Sequence, residues 1–274
     1  MSTTSSTGGS VGIATELELR FHQELYEAAP GDTRRAMDWR CEEVDGALVS
    51  VARGTPSILF NRTLGLGVRR PANRETVERI LQVYAGAGVE RFFVHVGPEA
   101  SPPDVGSWLV EQGLEAQRRW MKFERDARPA AEARTDLRIG RIEARDGVRF
   151  GQIVADSFDL GETAAHLFPA LRERPNWHLL GAFDGDLLVA AGVMYVHEAH
   201  AYLSFGATAP THRRRGAQGA LLAARIEAAR ELGCTLLHTE TGEEVPGEPQ
   251  HSYQNIERAG FVPVHTMDNY ARPR

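Results

Sequence analysis

The sequence predicts an α/β protein with a mixed sheet, built from two halves that repeat one order of elements. Three observations predict it. The chain has 274 residues, above the usual size of one domain. Short apolar runs alternate with amphipathic helical stretches along most of it. Between them, "RDARPAAEARTD" (Arg125 to Asp136) is rich in alanine and charge and has no apolar periodicity, the pattern of a linker. The expected division is a disordered tail at 1–14, a domain at 15–126, a linker at 127–136 and a domain at 137–274.

In the second half, Leu137 to Ile142 reads as a strand, Val148 to Phe158 as a helix, and Thr163 to Arg172 as a second helix stopped before Pro175. "WHLLGAFDGDLLVAAGVMYV" holds two strands around Asp184-Gly185-Asp186, a hairpin signal, and "AHAYLSFGATA" gives a third. From Gly216 onward, Leu221, Leu222, Ile226, Ala229 and Leu232 share a helical face, with Gly233 as the stop. "CTLLHTE" is a strand, Ser252 to Ala259 a short helix, and "FVPVHTMDNY" a closing strand pair. The first half echoes this ending: "RETVERILQVYAGAG", "ERFFVHV", "DVGSWLVEQG" and "LEAQRRWMKFE" read helix, strand, helix, strand. Gly88 answers to Gly233 and Gly113 to Gly260 at a nearly constant offset, the sign of an internal duplication.

Composition excludes several classes. With 42% hydrophobic and 25% charged residues the chain is ordinary soluble globular protein. A formal charge of −6 argues against a nucleic-acid partner, although a local basic loop can still hold a small anion. Cys41 and Cys234 cannot build a disulfide framework or a cysteine-rich zinc site, and they fit a cytoplasmic protein. No run of 18 apolar residues occurs, and MSTTSSTGGS lacks the basic and apolar parts of a signal peptide. Neither a membrane nor a metal is expected. Lys122 is the only lysine, a skew attributed at this level to genome composition.

The chemistry sits in "APTHRRRGAQGALLAARIEAARELG", residues 209–233. A helix N-terminus carries unpaired N–H groups and about half a positive charge. Glycines there let a backbone approach a phosphate closely. Gly216 and Gly219 stand at that point, with Arg213, Arg214 and Arg215 before them and a strand ending "LSFGATAP" upstream. The stretch resembles the acetyl-CoA loop of the Gcn5-related N-acetyltransferases (GNAT), Arg/Gln-x-x-Gly-x-Gly/Ala after a strand and a proline. Arg213, Gly216 and Gln218 match it, with Pro210 ahead and Gln218 departing from Gly/Ala. The resemblance covers about residues 137 to 274. It implies two tandem acyl-CoA N-acyltransferase-like domains, acetyl-CoA as co-substrate, Gly206, Ala207 and Thr208 along the pantetheine arm, and Arg213 to Gly219, including Ala217, around the diphosphate. A backbone N–H near Phe205 or Gly206 would stabilise an oxyanion.

Acetyl transfer to an amine must take a proton from the amine and give one to the departing thiolate. Family members often donate the latter from a tyrosine four residues before a Gly-Phe pair. Here Gly260-Phe261 puts Ile256 at that position, and Pro249 replaces a customary asparagine seven residues earlier. Tyr253, on nearly the same helix face, is the candidate acid. "LLHTETG" places His238 and Glu240 on one strand face, and Glu240 is the candidate base, with Glu198 as runner-up. An enzyme with no side-chain base, working by orientation and water, is a further alternative.

Other motifs are weak. "HEAH" (His197 to His200) lacks the i, i+4 spacing of a helical metal pair, and Gly65 to Gly67 is not followed by a dinucleotide fingerprint. The first half's equivalent loop, "RRPANRE", has no glycine; Pro71 and Asn73 read as a turn and a helix cap. That half is therefore expected to share the fold without binding coenzyme A, with "RTLGLG" either lining a substrate cleft or forming a plain core strand. The expected function is acetyl transfer from acetyl-CoA to a primary amine of a small molecule or peptide, by direct attack in a ternary complex. The alternative is a coenzyme A-binding or sensing module without catalysis.

Overall fold

The computed structural model describes residues 7–273, with side chains from residue 12 onward. Its elements are α1 (Thr7–Ala28), α2 (Gly31–Met37), β1 (Trp39–Val44), β2 (Ala47–Ala52), β3 (Arg62–Leu64), α3 (Arg74–Ala87), β4 (Phe93–Val96), α4 (Val105–Glu111) and β5 (Glu115–Asp126). The chain continues through β6 (Arg138–Arg141), α5 (Gly147–Phe158), a 3-10 turn (Glu162–His166), α6 (Leu167–Leu171), β7 (Trp177–Asp184), β8 (Leu187–His197) and β9 (His200–Thr208). It ends with α7 (Ala217–Glu231), β10 (Leu236–Gly242), α8 (His251–Arg258) and β11 (Val262–Ala271). The order α3-β4-α4-β5 recurs as α7-β10-α8-β11. Gly88, Gly113, Gly233 and Gly260 all have φ between 66° and 85°, the left-handed stop that glycine adopts without penalty.

Contacts divide the chain into two compact units, and neither is a simple half. One holds residues up to 27, 34–120 and 265–274; the other holds 28–33 and 121–264. In the first unit, β1 and β2 form a hairpin closed by Asp45 and Gly46, both at positive φ, as a two-residue Asp-Gly turn requires. β3 pairs antiparallel with β2 and parallel with β4, and β4 pairs antiparallel with the C-terminal part of β11. Val49, Val51, Ile80, Tyr84, Phe92, Val94 and Leu109 are buried together there. Arg62, Thr63 and Leu64 are all buried, so "RTL" is a core strand.

In the second unit, β6, β7, β8 and β9 run as an antiparallel meander, with Asp184 opposite Leu187 across the expected Gly185-Asp186 turn. β10 joins β9 in parallel, and β5 lies on the other side of β10. Helices α7 and α8 bury Leu222, Ile226, Tyr253 and Ile256 against Met194, Leu203, Leu237 and Phe123. Strict alternation would put Phe205 on the face of Leu203, but an irregularity in the β8–β9 register reverses the phase, and Phe205 meets Phe158 and Phe168 edge-on.

Several expectations change. Residues 7–14 belong to α1, so the expected tail does not reach 14; residues 1–6 lie outside the described residues. The second helix is a 3-10 turn followed by the five-residue α6. The closing pair is one ten-residue strand, β11, and Leu232 is exposed because α7 ends before it. Residues 127–136 carry no helix or strand, yet they are docked as a strap. The Ala130 amide donates to Glu227 Oε1 at 2.8 Å and the Thr135 hydroxyl to the Arg215 carbonyl at 2.7 Å. Arg125 reaches back to the Arg128 carbonyl, tying the strap to the end of β5. Alanine and charge without periodicity look like a linker, and backbone hydrogen bonds of this kind leave no sequence pattern.

Candidate active site

The parallel pair β9–β10 keeps register only from Leu236↔His200 to Thr239↔Leu203. The Thr239 hydroxyl donates to the Leu203 carbonyl at 2.8 Å and closes the last rung. Beyond it the strands separate, with Ser204 to Thr208 on one lip and Glu240 to Gly242 on the other. The cause is local. Between β8 and β9 the register passes from Ala191↔Ala207 to Val193↔Ser204, so β9 carries an extra residue opposite Gly192. Phe205, a non-glycine residue, takes φ 48° to accommodate it. Such a bulge bends a strand away from its neighbour. Gly206, expected along the pantetheine arm, is exposed beside it.

A buried arginine supports the bulge. Arg225, 2% exposed on the inner face of α7, donates to the carbonyls of Leu221 (3.1 Å), Val193 (3.0 Å) and Ser204 (3.1 Å). Its guanidinium lies 3.0 Å from where a Gly192 Cβ would stand, so a side chain at 192 would push it aside. Burial lowers its pKa to about 10. The sequence reading did not single out Arg225, although a charge between Leu221 and Ala229 on an apolar stripe is an anomaly that could have found it.

Facing the split is the start of α7. Gly216, its N-cap, has φ 80° and supplies no side-chain cap, and no acidic residue stands in the first turn. The Ala220 amide reaches Gly216, so Ala217, Gln218 and Gly219 carry N–H groups that no cap accepts. By contrast, α3 is capped: the Asn73 side chain accepts from the Thr76 amide at 2.8 Å within a capping box. Gln218 departs from the expected small residue without obstructing the turn, because it folds back onto β9. Its Nε2 donates to Thr208 Oγ1 at 2.8 Å, and its Oε1 sits 2.8 Å from where a Gly206 Cβ would be. Ala207 and Thr208 are buried; Arg213 and Arg214 are exposed, and Arg214 is left-handed at φ 64°.

Arg215 differs from its two neighbours. It forks onto Asp136 and reaches Asp184 Oδ2 at 2.6 Å. Asp184 and then Asp136 raise its pKa, and Arg215 lowers both of theirs. Its side chain holds the loop to the strap and to the end of β7, so only its backbone faces an incoming anion.

On the face away from α7, five side chains form a polar row. Lys122 of β5 is ion-paired with Glu240 of β10. Next along, His238 Nδ1 lies 3.3 Å from Glu124 Oε1, off the hydrogen-bond line, and its Nε2 lies 3.4 Å from His200 Nδ1. Burial, then His238, lowers the pKa of His200. Tyr253 is across the sheet: its ring packs edge-on against Phe123 at 4.8 Å, and burial, then Glu257 and Glu244, raises its pKa. The two sequence candidates for base and acid therefore lie on opposite faces. Glu198 is exposed in the two-residue turn of the β8–β9 hairpin, at the end of β9 remote from the split, and the "HEAH" segment is that turn. Among the described residues no helix is long and apolar enough to cross a membrane.

A sheet split at one parallel pair, with a glycine-started helix aimed at the opening, defines the N-acetyltransferase class of fold. Residues 150–247 match the model of the acetyltransferase (GNAT) family, whose enzymes use acetyl-CoA as co-substrate. A GCN5-related N-acetyltransferase from Kribbella flavida is similar over 96% of both chains, at 17% identity and TM-score 0.65. One from Sphaerobacter thermophilus is similar over 82% of this chain and 79% of its own, at 13% identity and TM-score 0.58. A tandem GNAT protein from the clavulanic acid biosynthesis pathway is similar over 82% and 77%, at 16% identity and TM-score 0.53. No curated protein matches by sequence.

Proposed function

We propose that this protein moves an acetyl group from acetyl-CoA to a primary amine, in one site carried by residues 137–274, as one member of a tandem of acetyltransferase-like domains. The observation that carries the reading is the difference between two equivalent helix starts. The first turn of α7 presents uncapped N–H groups beside the split, while Asn73 satisfies the first turn of α3. A diphosphate accepts from such N–H groups and is favoured by the helix dipole. Ala217, Gln218 and Gly219 would hold it with Arg213 and Arg214 nearby, and the exposed backbone at Gly206 would meet the pantetheine arm. Glu240, at the lip of the split, would take the proton of the attacking amine. A small molecule or a peptide N-terminus, cationic before attack, suits the acidic balance of the chain.

Calorimetric titration with acetyl-CoA tests this. One equivalent should bind per chain, and Gly219→Glu, which adds an anion to the first turn, should abolish binding. No binding by the native protein would sink the reading, and two equivalents would sink the assignment of one competent site. A second reading, coenzyme binding without turnover, is favoured by Ile256 at the usual tyrosine position, buried in the α8 core. Thiol release separates the two.

A further inference from the structure

The sole lysine of the chain stands at the site. Of the 31 lysines and arginines only Lys122 is a lysine, and it is 8% exposed and ion-paired with Glu240 at the mouth of the split. The other thirty are arginines. An arginine would supply the same charge. What it cannot do is give up a proton, because the guanidinium stays protonated under all ordinary conditions. A buried lysine touching a carboxylate can do so.

We propose that Lys122 and Glu240 form a two-residue proton relay, with the Lys122 ammonium as the acid that protonates the departing thiolate. This rests on the acyl-transfer reading above. The ammonium form of the substrate first loses a proton to solvent. As the neutral amine nitrogen then attacks the thioester carbonyl, the C–N bond forms, the C–S bond breaks, and the nitrogen's next proton passes to Glu240. Lys122 gives a proton to the sulfur, then recovers one from Glu240 across their direct contact. One proton has moved from amine to thiol, and the pair is as it began. The relay fills the role left open by Ile256, and it leaves Tyr253, on the other face of the sheet, to packing.

The test compares thiol release from acetyl-CoA, with water and with a panel of primary amines as acceptors, in the native protein, Lys122→Arg and Lys122→Met. Acetyl-CoA affinity is measured for each by calorimetry. Both variants should bind acetyl-CoA within about threefold of native and lose at least about 100-fold in kcat, the lower range of proton-transfer catalysis. Lys122→Arg at near-native kcat would overturn the relay while leaving acyl transfer standing. A native protein that binds acetyl-CoA and releases no thiol would overturn acyl transfer, and the relay with it. A second measurement needs no variant. Protein labelled with ¹³C-lysine gives a single lysine side-chain signal, which should differ between the complexes with coenzyme A and with desulfo-coenzyme A. Identical signals would overturn the contact between Lys122 and the sulfur.

Discussion

Gly216 and Gly219 occupy neighbouring places in one motif, yet the structure sets them far apart in what substitution should do. At Gly216 the backbone is left-handed, and an added Cβ would run into the Arg134 carbonyl oxygen of the strap. Gly216→Ala should cost about 1–2 kcal/mol for the conformation and about 1–3 kcal/mol for the displaced backbone, roughly 3 kcal/mol in all. At Gly219 the nearest atom to an added Cβ is the Ala133 Cβ at 3.8 Å, ordinary contact. Gly219→Ala should be neutral or gain up to about 1 kcal/mol from helix propensity. At about 2–4 °C per kcal/mol for a chain of this size, the two melting temperatures should differ by roughly 10 °C. Thermal unfolding followed by circular dichroism measures it. Equal shifts would refute the assignment of the left-handed turn and the strap contact. The same contrast makes an acidic substitution at Gly216 a poor probe of diphosphate binding, since it damages the fold before it repels a ligand.

Further outcomes are expected. Tyr253→Phe should leave kcat within about threefold, because its ring packs on Phe123 across the sheet from Glu240; a larger loss would restore the tyrosine as acid. Glu240→Gln should lower kcat at least about 100-fold with acetyl-CoA affinity little changed, and an equal loss of affinity would contradict a proton-transfer role. Arg215→Met should destabilise the protein at pH 7, and the difference should shrink as pH falls below the ordinary aspartate range near 3.8. Asp136 and Asp184 have lowered folded pKa values, so their contribution is present above that range and lost as they take up protons; urea melts at pH 7 and pH 3 would reveal a constant difference if the pairing were idle. Burial pushes the Cys41 thiol up to about 12 and also raises Cys234. Neither should react with an aromatic disulfide reagent at pH 8 until the chain unfolds, which would keep thiol-release assays free of protein background.

The second half was legible because its elements carry local signals: the Asp184-Gly185-Asp186 turn, the glycine stops, and the apolar stripe of α7. Between the expected tail and "RTLGLG" no elements were assigned, although Asp45-Gly46 marks the β1–β2 hairpin that forms there. The phosphate-type loop was visible because it depends on glycine at fixed spacing. The roles of Arg215, Arg225 and Lys122 were not, since each depends on partners between about 30 and 120 positions away that only the sheet brings together. Lys122 was noticed as a number, and only its place beside Glu240 gives the number a meaning.

The exchange of strand ends between the compact units bears on how such a protein can be taken apart. Residues 121–126 come from the first half of the sequence and belong to the second unit, while 265–274 make the opposite trade. A gene cut at the strap, the place where sequence alone would put the scissors, yields fragments that each lack part of their own sheet and expose an unpaired strand edge. Fragment 127–274 should therefore aggregate or stay unfolded alone and recover on mixing with 1–126. The unit that a shortened gene must encode is therefore set by these strand ends and not by the strap.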